Sequence, residues 1–316
     1  MGGSSGFSDT VRSLVAPYAP IKDEIVLVDA SYLFYRLSVD LKLDLFDLDQ
    51  DSPHLQRVIG QVSDAIVKEI DQFQGKNEYR IQNEQVHIVF EDRDSSKSIR
   101  RKRRGRKSKS SLLNKGIREA FLSKSLNSRA KGKKKIAKVM GRPPQWISHL
   151  IMANLSARGF KSLHAPSTVQ ADQIIIRMAN FYASAGSKVS VLGNDRDFIA
   201  FSKPDTICRI MYTNRGRQVQ LKSETVAEHL ALKDSRLVPY VYAFSGCDDI
   251  SKSIYRFGWK KAFQIAKASE TLEDFHDKIN ERFGNSRING PKIQIIKAEM
   301  DNLIGCKFIL QNALIS

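Results

Sequence analysis

Three short apolar runs with acids at their far ends constrain this chain more than any other feature. Glu24 to Asp29 reads EIVLVD, and Gln85 to Asp92 reads QVHIVFED. Lys188 to Leu192 reads KVSVL, with Asn194, Asp195, Arg196 and Asp197 close behind it. Such runs leave no solvent side, so the strands they form are covered on both faces, as in a parallel sheet. Parallel neighbours need long crossovers, usually helices. The sequence supplies them. From His54 to Phe73, Leu55, Val58, Ile59, Val62, Ile66 and Ile70 share one helical face, bracketed by Pro53 and Gly75. A helix over Gln145–Ala157 leads to a short strand, Phe160–His164, and Val169–Ala185 is again helical. Thr206–Met211 and Gln218–Leu221 flank Asn214–Arg215–Gly216 and read as a hairpin. Helices fill most of Ser223–Ser316. The alternation predicts a doubly wound, mostly parallel α/β sheet followed by a helical C-terminal region.

Charge is the second constraint. Between Lys97 and Lys135 stand 17 basic residues and one acid, Glu119, in a chain of net charge +17. The rest of the chain is close to balance, at about +1. An excess confined to one internal segment points to a polyanionic partner. Leu112, Leu113, Ile117, Phe121 and Leu122 give the segment a thin apolar stripe, and Gly105, Gly116 and Gly132 interrupt it. It reads as a mobile, partly helical insertion. No apolar run approaches the roughly 18–20 residues of a membrane span, and Met1–Asp9 holds no apolar leader core. Cys208, Cys247 and Cys306 form no CxxC pair, which fits a reducing, intracellular compartment and argues against a thiolate zinc site. The six histidines show no HxH or HxxxH spacing.

The acids then become the focus. Asp29, Asp92, Asp195 and Asp197 follow predicted strands, Asp172 opens a predicted helix, and Asp248–Asp249 follow the apolar run Val241–Phe244. One such Asp alone is ordinarily a cap or turn former. Several at strand ends are different, because ligands of open α/β sheets bind at the carboxyl ends of the strands. Carboxylates gathered there stay ionised only with compensating positive charge, which hard divalent cations supply through oxygen ligands. A carboxylate pocket beside a strongly basic segment suits a phosphodiester substrate. Tyr32, Phe34 and Tyr35, just after the first acid, read as packing residues, with base stacking as the alternative. Trp146 and Trp259 read as packing residues.

Several stretches, in order, resemble the flap-endonuclease and 5′-nuclease superfamily. VLVDAS (Val26–Ser31) is similar to its first-strand aspartate motif and VFED (Val89–Asp92) to its second. QAD (Gln170–Asp172) stands at the EAD-type helix start, and NDRDF (Asn194–Phe198) matches the DxD motif. SGCDD (Ser245–Asp249) resembles the GxD motif, and RFGWKKA (Arg256–Ala262) the helix–hairpin–helix that follows it. The basic segment falls where that superfamily has its helical arch, and the spacing is most similar to the T-even phage ribonuclease H type.

The resemblance implies a PIN-like nuclease domain over residues 22–249 with a basic arch at 93–140. It also implies an N-terminal extension at 1–21 and a helix–hairpin–helix with C-terminal helices at 250–316. It implies Mg²⁺ or Mn²⁺, as two ions. Asp29, Asp92, Asp172 and Asp195 would form the first-metal cluster, and Asp197, Asp248 and Asp249 the second. Glu91 competes with Asp92, which the Asp-to-Arg spacing favours. Lys97 with Arg100 or Arg101 would grip the scissile phosphate. Arg103, Arg104, Arg106 and Lys107 of the arch, and Gly258, Lys260 and Lys261 of the hairpin, would bind nucleic acid. The implied partners are DNA or an RNA–DNA hybrid and a replication protein, with the chain acting as a monomer in cytoplasm or nucleus. Three departures stand out. Gln170 occupies a carboxylate position, Gln173 the place of a frequent second Asp, and Arg256 the first glycine of the hairpin. They open an alternative, a weakened member that binds branched nucleic acid without cutting it. A PIN-like ribonuclease is a third reading.

Overall fold

The structure is a computed structural model. It describes residues 11–19, 21–40, 54–73, 81–91, 145–166, 169–195, 197–201, 208–214, 217–247, 250, 254 and 257–304. The predicted basic arch lies outside the described residues.

Among the described residues seven strands form one sheet in the order β1-β7-β6-β5-β2-β3-β4. They are β1 (Ala16–Pro17), β2 (Ile25–Asp29), β3 (Val86–Phe90), β4 (Lys161–His164), β5 (Val189–Leu192), β6 (Cys208–Asn214) and β7 (Arg217–Lys222). The chain divides into two compact units at a point inside β2: residues 28–74 with 82–171, and residues 1–27 with 75–81 and 172–316.

In the first unit β3 pairs in parallel with β4, Phe90 opposite His164. Every residue of β3 is buried, as its continuous apolar run requires. Helix α1 (Ala30–Asp40) leaves β2 directly, and α2 (Leu55–Asp71) follows. Five of the six stripe residues of α2 are fully buried: Leu55, Ile59, Val62, Ile66 and Ile70. α2 packs against α3 (Gln145–Ala157), which buries Ile147, Ile151 and Leu155 at four-residue spacing. Each such side chain contributes about 1.5–3 kcal/mol through burial. Tyr32 and Phe34 on α1 are core residues, 8% and 6% exposed, and Phe34 packs on Phe90 at 5.8 Å. Their burial bears out the core-packing reading for these two, and the lesser reading, base stacking, does not hold.

In the second unit β5 and β6 pair in parallel, while β6 and β7 form the expected antiparallel hairpin. β1 adds to the edge against β7. Helix α4 (Ala171–Ser184) begins at the unit boundary. The helices α5 (Asp197–Ala200), α6 (Ser223–Leu230), α7 (Leu237–Phe244), α8 (Trp259–Lys267), α9 (Leu272–Phe283) and α10 (Gly290–Ile304) complete it. α7 is buried at all eight positions, and α5, α8 and α10 pack against it. A helix apolar all round belongs in a core. Its two phenols then need acceptors: Tyr240 donates to Asp301 at 2.9 Å, and Tyr242 to Asp197. Among the described residues no helix is long and apolar enough to cross a membrane.

Candidate functional site

Of the predicted acids, Asp29, Glu91, Asp172, Asp195 and Asp197 are described, and each falls at or just after a strand end or at a helix start. In the first unit Asp29 is the last residue of β2 and 7% exposed. Its Oδ1 accepts the Ser31 N–H at 2.8 Å, an Asx-type turn from strand into α1. Glu91 directly follows β3, and its Oε2 accepts the N–H of Ala171 at 2.8 Å. That amide opens α4, so the carboxylate sits at the positive end of a helix dipole. The bond joins residues 80 positions apart and fixes the end of β3 beside the QAD stretch. Gln170 is half-buried.

In the second unit Asp172 lies in the first turn of α4 and is half-buried, as is Gln173. Asp195 follows β5 and is exposed, and its Oδ1 accepts the Asp197 N–H at 3.1 Å. Asp197 opens α5, and its Oδ1 accepts the Tyr242 hydroxyl. The Tyr242 ring is 2% exposed and meets Phe201 edge-on at 5.3 Å. Burial raises the phenol well above its ordinary pKa, and the charge and hydrogen bond of Asp197, with Cys247 and Asp195, add to the rise. Nothing in the acid spacing points to Tyr242. The one signal was a hydroxyl inside a helix with no polar face.

α7 ends on Gly246, whose φ of +87° suits the left-handed residue that closes a helix, with its N–H on the Ala243 carbonyl at 3.1 Å. The chain turns there into Cys247. Asp248 and Asp249 lie outside the described residues, as do Asp92, Lys97, Arg100, Arg101, Arg103, Arg104, Arg106, Lys107 and Arg256.

The hairpin residues head α8. Gly258 is its N-cap, in extended conformation, and a Cβ added there would meet no atom within 4 Å. Packing therefore does not demand a glycine at this point. Trp259, Ala262, Ile265 and Ala266 face inward, leaving Lys260 and Lys261 exposed. Trp259 stacks on Phe263 at 5.5 Å with planes 9° apart, in line with a packing role. An exposed basic helix start suits an anionic group.

Elsewhere in the second unit acids meet cations. Asp234 accepts the Nη2 of Arg236 at 2.7 Å and the N–H groups of Arg236 and Leu272 at 2.9 and 3.0 Å. Burial works to raise its pKa, but these bonds and the Arg236 charge hold the carboxyl below its usual value. Asp274 pairs with Lys278 at 2.6 Å, Arg236 also reaches Glu273 at 3.6 Å, and Lys233 pairs with Glu270.

Within each unit the strand-end acids offer carboxylate oxygen, a donor type that fits hard dications better than soft metals. Among the described residues no three His, Cys, Asp or Glu side chains group as a ready metal cage.

No family model matches the chain, and no curated protein matches it. Among solved structures it is similar to a bacteriophage T5 protein co-crystallised with metal ions. There the identity is 12%, the match covers 88% of this chain and 85% of that one, and the TM-score is 0.44. It is also similar to the T5 5′-exonuclease with bound zinc ions, at 12% identity over 89% of this chain and 86% of that one, TM-score 0.42. A third is the bacteriophage T5 flap endonuclease in complex with DNA and metal ions, at 12% identity over 88% and 85%, TM-score 0.42.

Proposed function

We propose that the chain is a divalent-metal-dependent 5′-nuclease that hydrolyses phosphodiesters in branched or 5′-ended DNA, or in RNA–DNA hybrids. The observation that carries the reading is the pairing of motif order with strand-end position. Asp29, Glu91 and Asp195, taken from three separate motifs, each stand at or just after the carboxyl end of a strand. Metal ligands in this reading are Asp29, Asp92 or Glu91, Asp172, Asp195, Asp197, Asp248 and Asp249. Two Mg²⁺ or Mn²⁺ ions bound there would supply an activated water and charge neutralisation at the leaving oxygen. The protein's own part is to orient these carboxylates through the amides of Ser31, Ala171 and Asp197. Lys97, Arg100 and Arg101 would hold the scissile phosphate, and the rest of the arch would carry the flanking strand. Gly258, Lys260 and Lys261 would grip a duplex phosphate away from the cut. A nuclease domain over 22–249 with a C-terminal hairpin region, acting as an intracellular monomer beside replication proteins, belongs to the same proposal.

A 5′-flap DNA digested with Mg²⁺, with Mn²⁺ and with chelator tests it. Metal-dependent release of the flap is expected. Tight flap binding without cleavage under either ion would favour the second reading, a binding protein. Gln170 and Gln173 motivate that reading, because an amide oxygen can orient water but adds no charge.

A further inference from the structure

We infer that Tyr242 is a positioning residue for Asp197. The inference rests on the metal-site reading above and adds to it a residue outside every acid motif. A lone Asp side chain rotates about Cβ–Cγ, and a ligand that rotates binds a cation less well. Here the backbone fixes Asp197 at the first residue of α5, through its N–H on Asp195 Oδ1. The Tyr242 hydroxyl takes Asp197 Oδ1 and so fixes the carboxylate as well. The phenol is itself immobile: it sits on a helix buried at every position, 2% exposed, with Phe201 against its ring. Phe201 lies at the end of the same turn, its N–H on the Asp197 carbonyl at 3.0 Å. The donor and its acceptor are thus fastened to each other through α5 as well as directly. A neutral donor of this kind directs a carboxylate without cancelling its charge, as the outer partners of metal ligands do.

Tyr242→Phe keeps the ring and its packing and removes only the hydroxyl. The measurement is calorimetric binding of Mn²⁺ to the full chain without nucleic acid, for the unaltered protein, Y242F, D197N and the double variant. The expected result is about tenfold weaker Mn²⁺ binding in Y242F, and no further loss when the change is added to D197N. Unchanged Mn²⁺ binding in Y242F, with binding lost in D197N, would overturn the inference and leave the metal site standing. Additive losses in the double variant would also overturn it, since Tyr242 would then act other than through Asp197. An unaltered protein that binds no Mn²⁺ would sink both.

Discussion

Two populations of carboxylate behave differently in this molecule. At the strand ends, the hydrogen bonds described for Asp29, Glu91, Asp195 and Asp197 come from neutral donors: three backbone amides and one phenol. In the helical region, Asp234, Asp274, Glu270 and Glu273 meet Arg236, Lys278 and Lys233. The residue types are the same, but the bonds do different work. A neutral donor aims a carboxylate without itself cancelling the charge. Cationic donors consume the charge to join one helix start to the next. In the proposed reading the first kind of bond serves cation ligands, while the second ties helix starts together.

The sharpest way to break that comparison is to neutralise one acid of each kind. Asp195→Asn and Asp197→Asn should each lower flap cleavage by at least about a hundredfold, taking the upper range for disturbed metal sites as a floor. Flap binding should hold or tighten, because anionic repulsion is relieved, and the melting temperature should hardly move. Wild-type cleavage by both variants would end the distinction. Next in size is the basic segment, whose charge meets a nucleic-acid partner in the proposed reading. Replacing Arg100 to Arg104 with neutral residues should flatten the dependence of log K on log salt by about 0.7–0.9 for each phosphate no longer neutralised, read from binding isotherms at several salt concentrations.

The mirror experiment is Asp234→Ala. It leaves Arg236 and the Leu272 amide without that acceptor, and should destabilise the fold by about 1–3 kcal/mol in urea unfolding, with cleavage per folded molecule unchanged. The smallest effect concerns His276, in the aromatic cluster with Tyr240, Phe244 and Phe275. Burial, then Lys297, lower its pKa to about 4 from 6.5, against the opposing charges of Asp301, Glu273 and Asp277. The folded state therefore prefers the neutral ring. Between about pH 6.5 and 4 the unfolded chain binds more protons, so this stability is complete above 6.5 and is lost as pH falls toward 4. His276→Leu should shrink that acid-side decline, because leucine has no group to protonate, and the buried Nε2 it replaces has no hydrogen-bond partner among the described residues. A decline of unchanged slope in urea midpoints would place the titration elsewhere.

What could be read from the sequence follows from how strongly each pattern is forced. The buried run VHIVF leaves β3 one assignment, and the stripe of α2 leaves one face to bury. The hairpin of β6 and β7 appears around Asn214, as its turn residues require. β1 was missed, since two residues, Ala16 and Pro17, carry no period and are defined by their pairing with β7. Packing of the aromatic residues just after Asp29 was legible from their apolar rings, and Tyr32 and Phe34 are buried. Among the acids, position along the chain was readable because strands end where apolar runs end. Their partners were not, since the amide of Ala171 and the phenol of Tyr242 meet Glu91 and Asp197 only in the fold.

The passage of the unit boundary through β2 bears on how the protein is made. Residues 28–74 and 82–171 are nearly continuous in the chain and pack mainly on one another. Most of that packing is available once residue 171 has left the ribosome, when a domain emerging from the N-terminal side can already fold. The other unit must wait. Its first strand pairs Ala16 with Gln220, about two hundred residues later in synthesis, and that loop has to close before the pairing contributes anything. Until then that unit is unfinished, so slow translation past residue 171 should lengthen the interval in which a holding chaperone is useful.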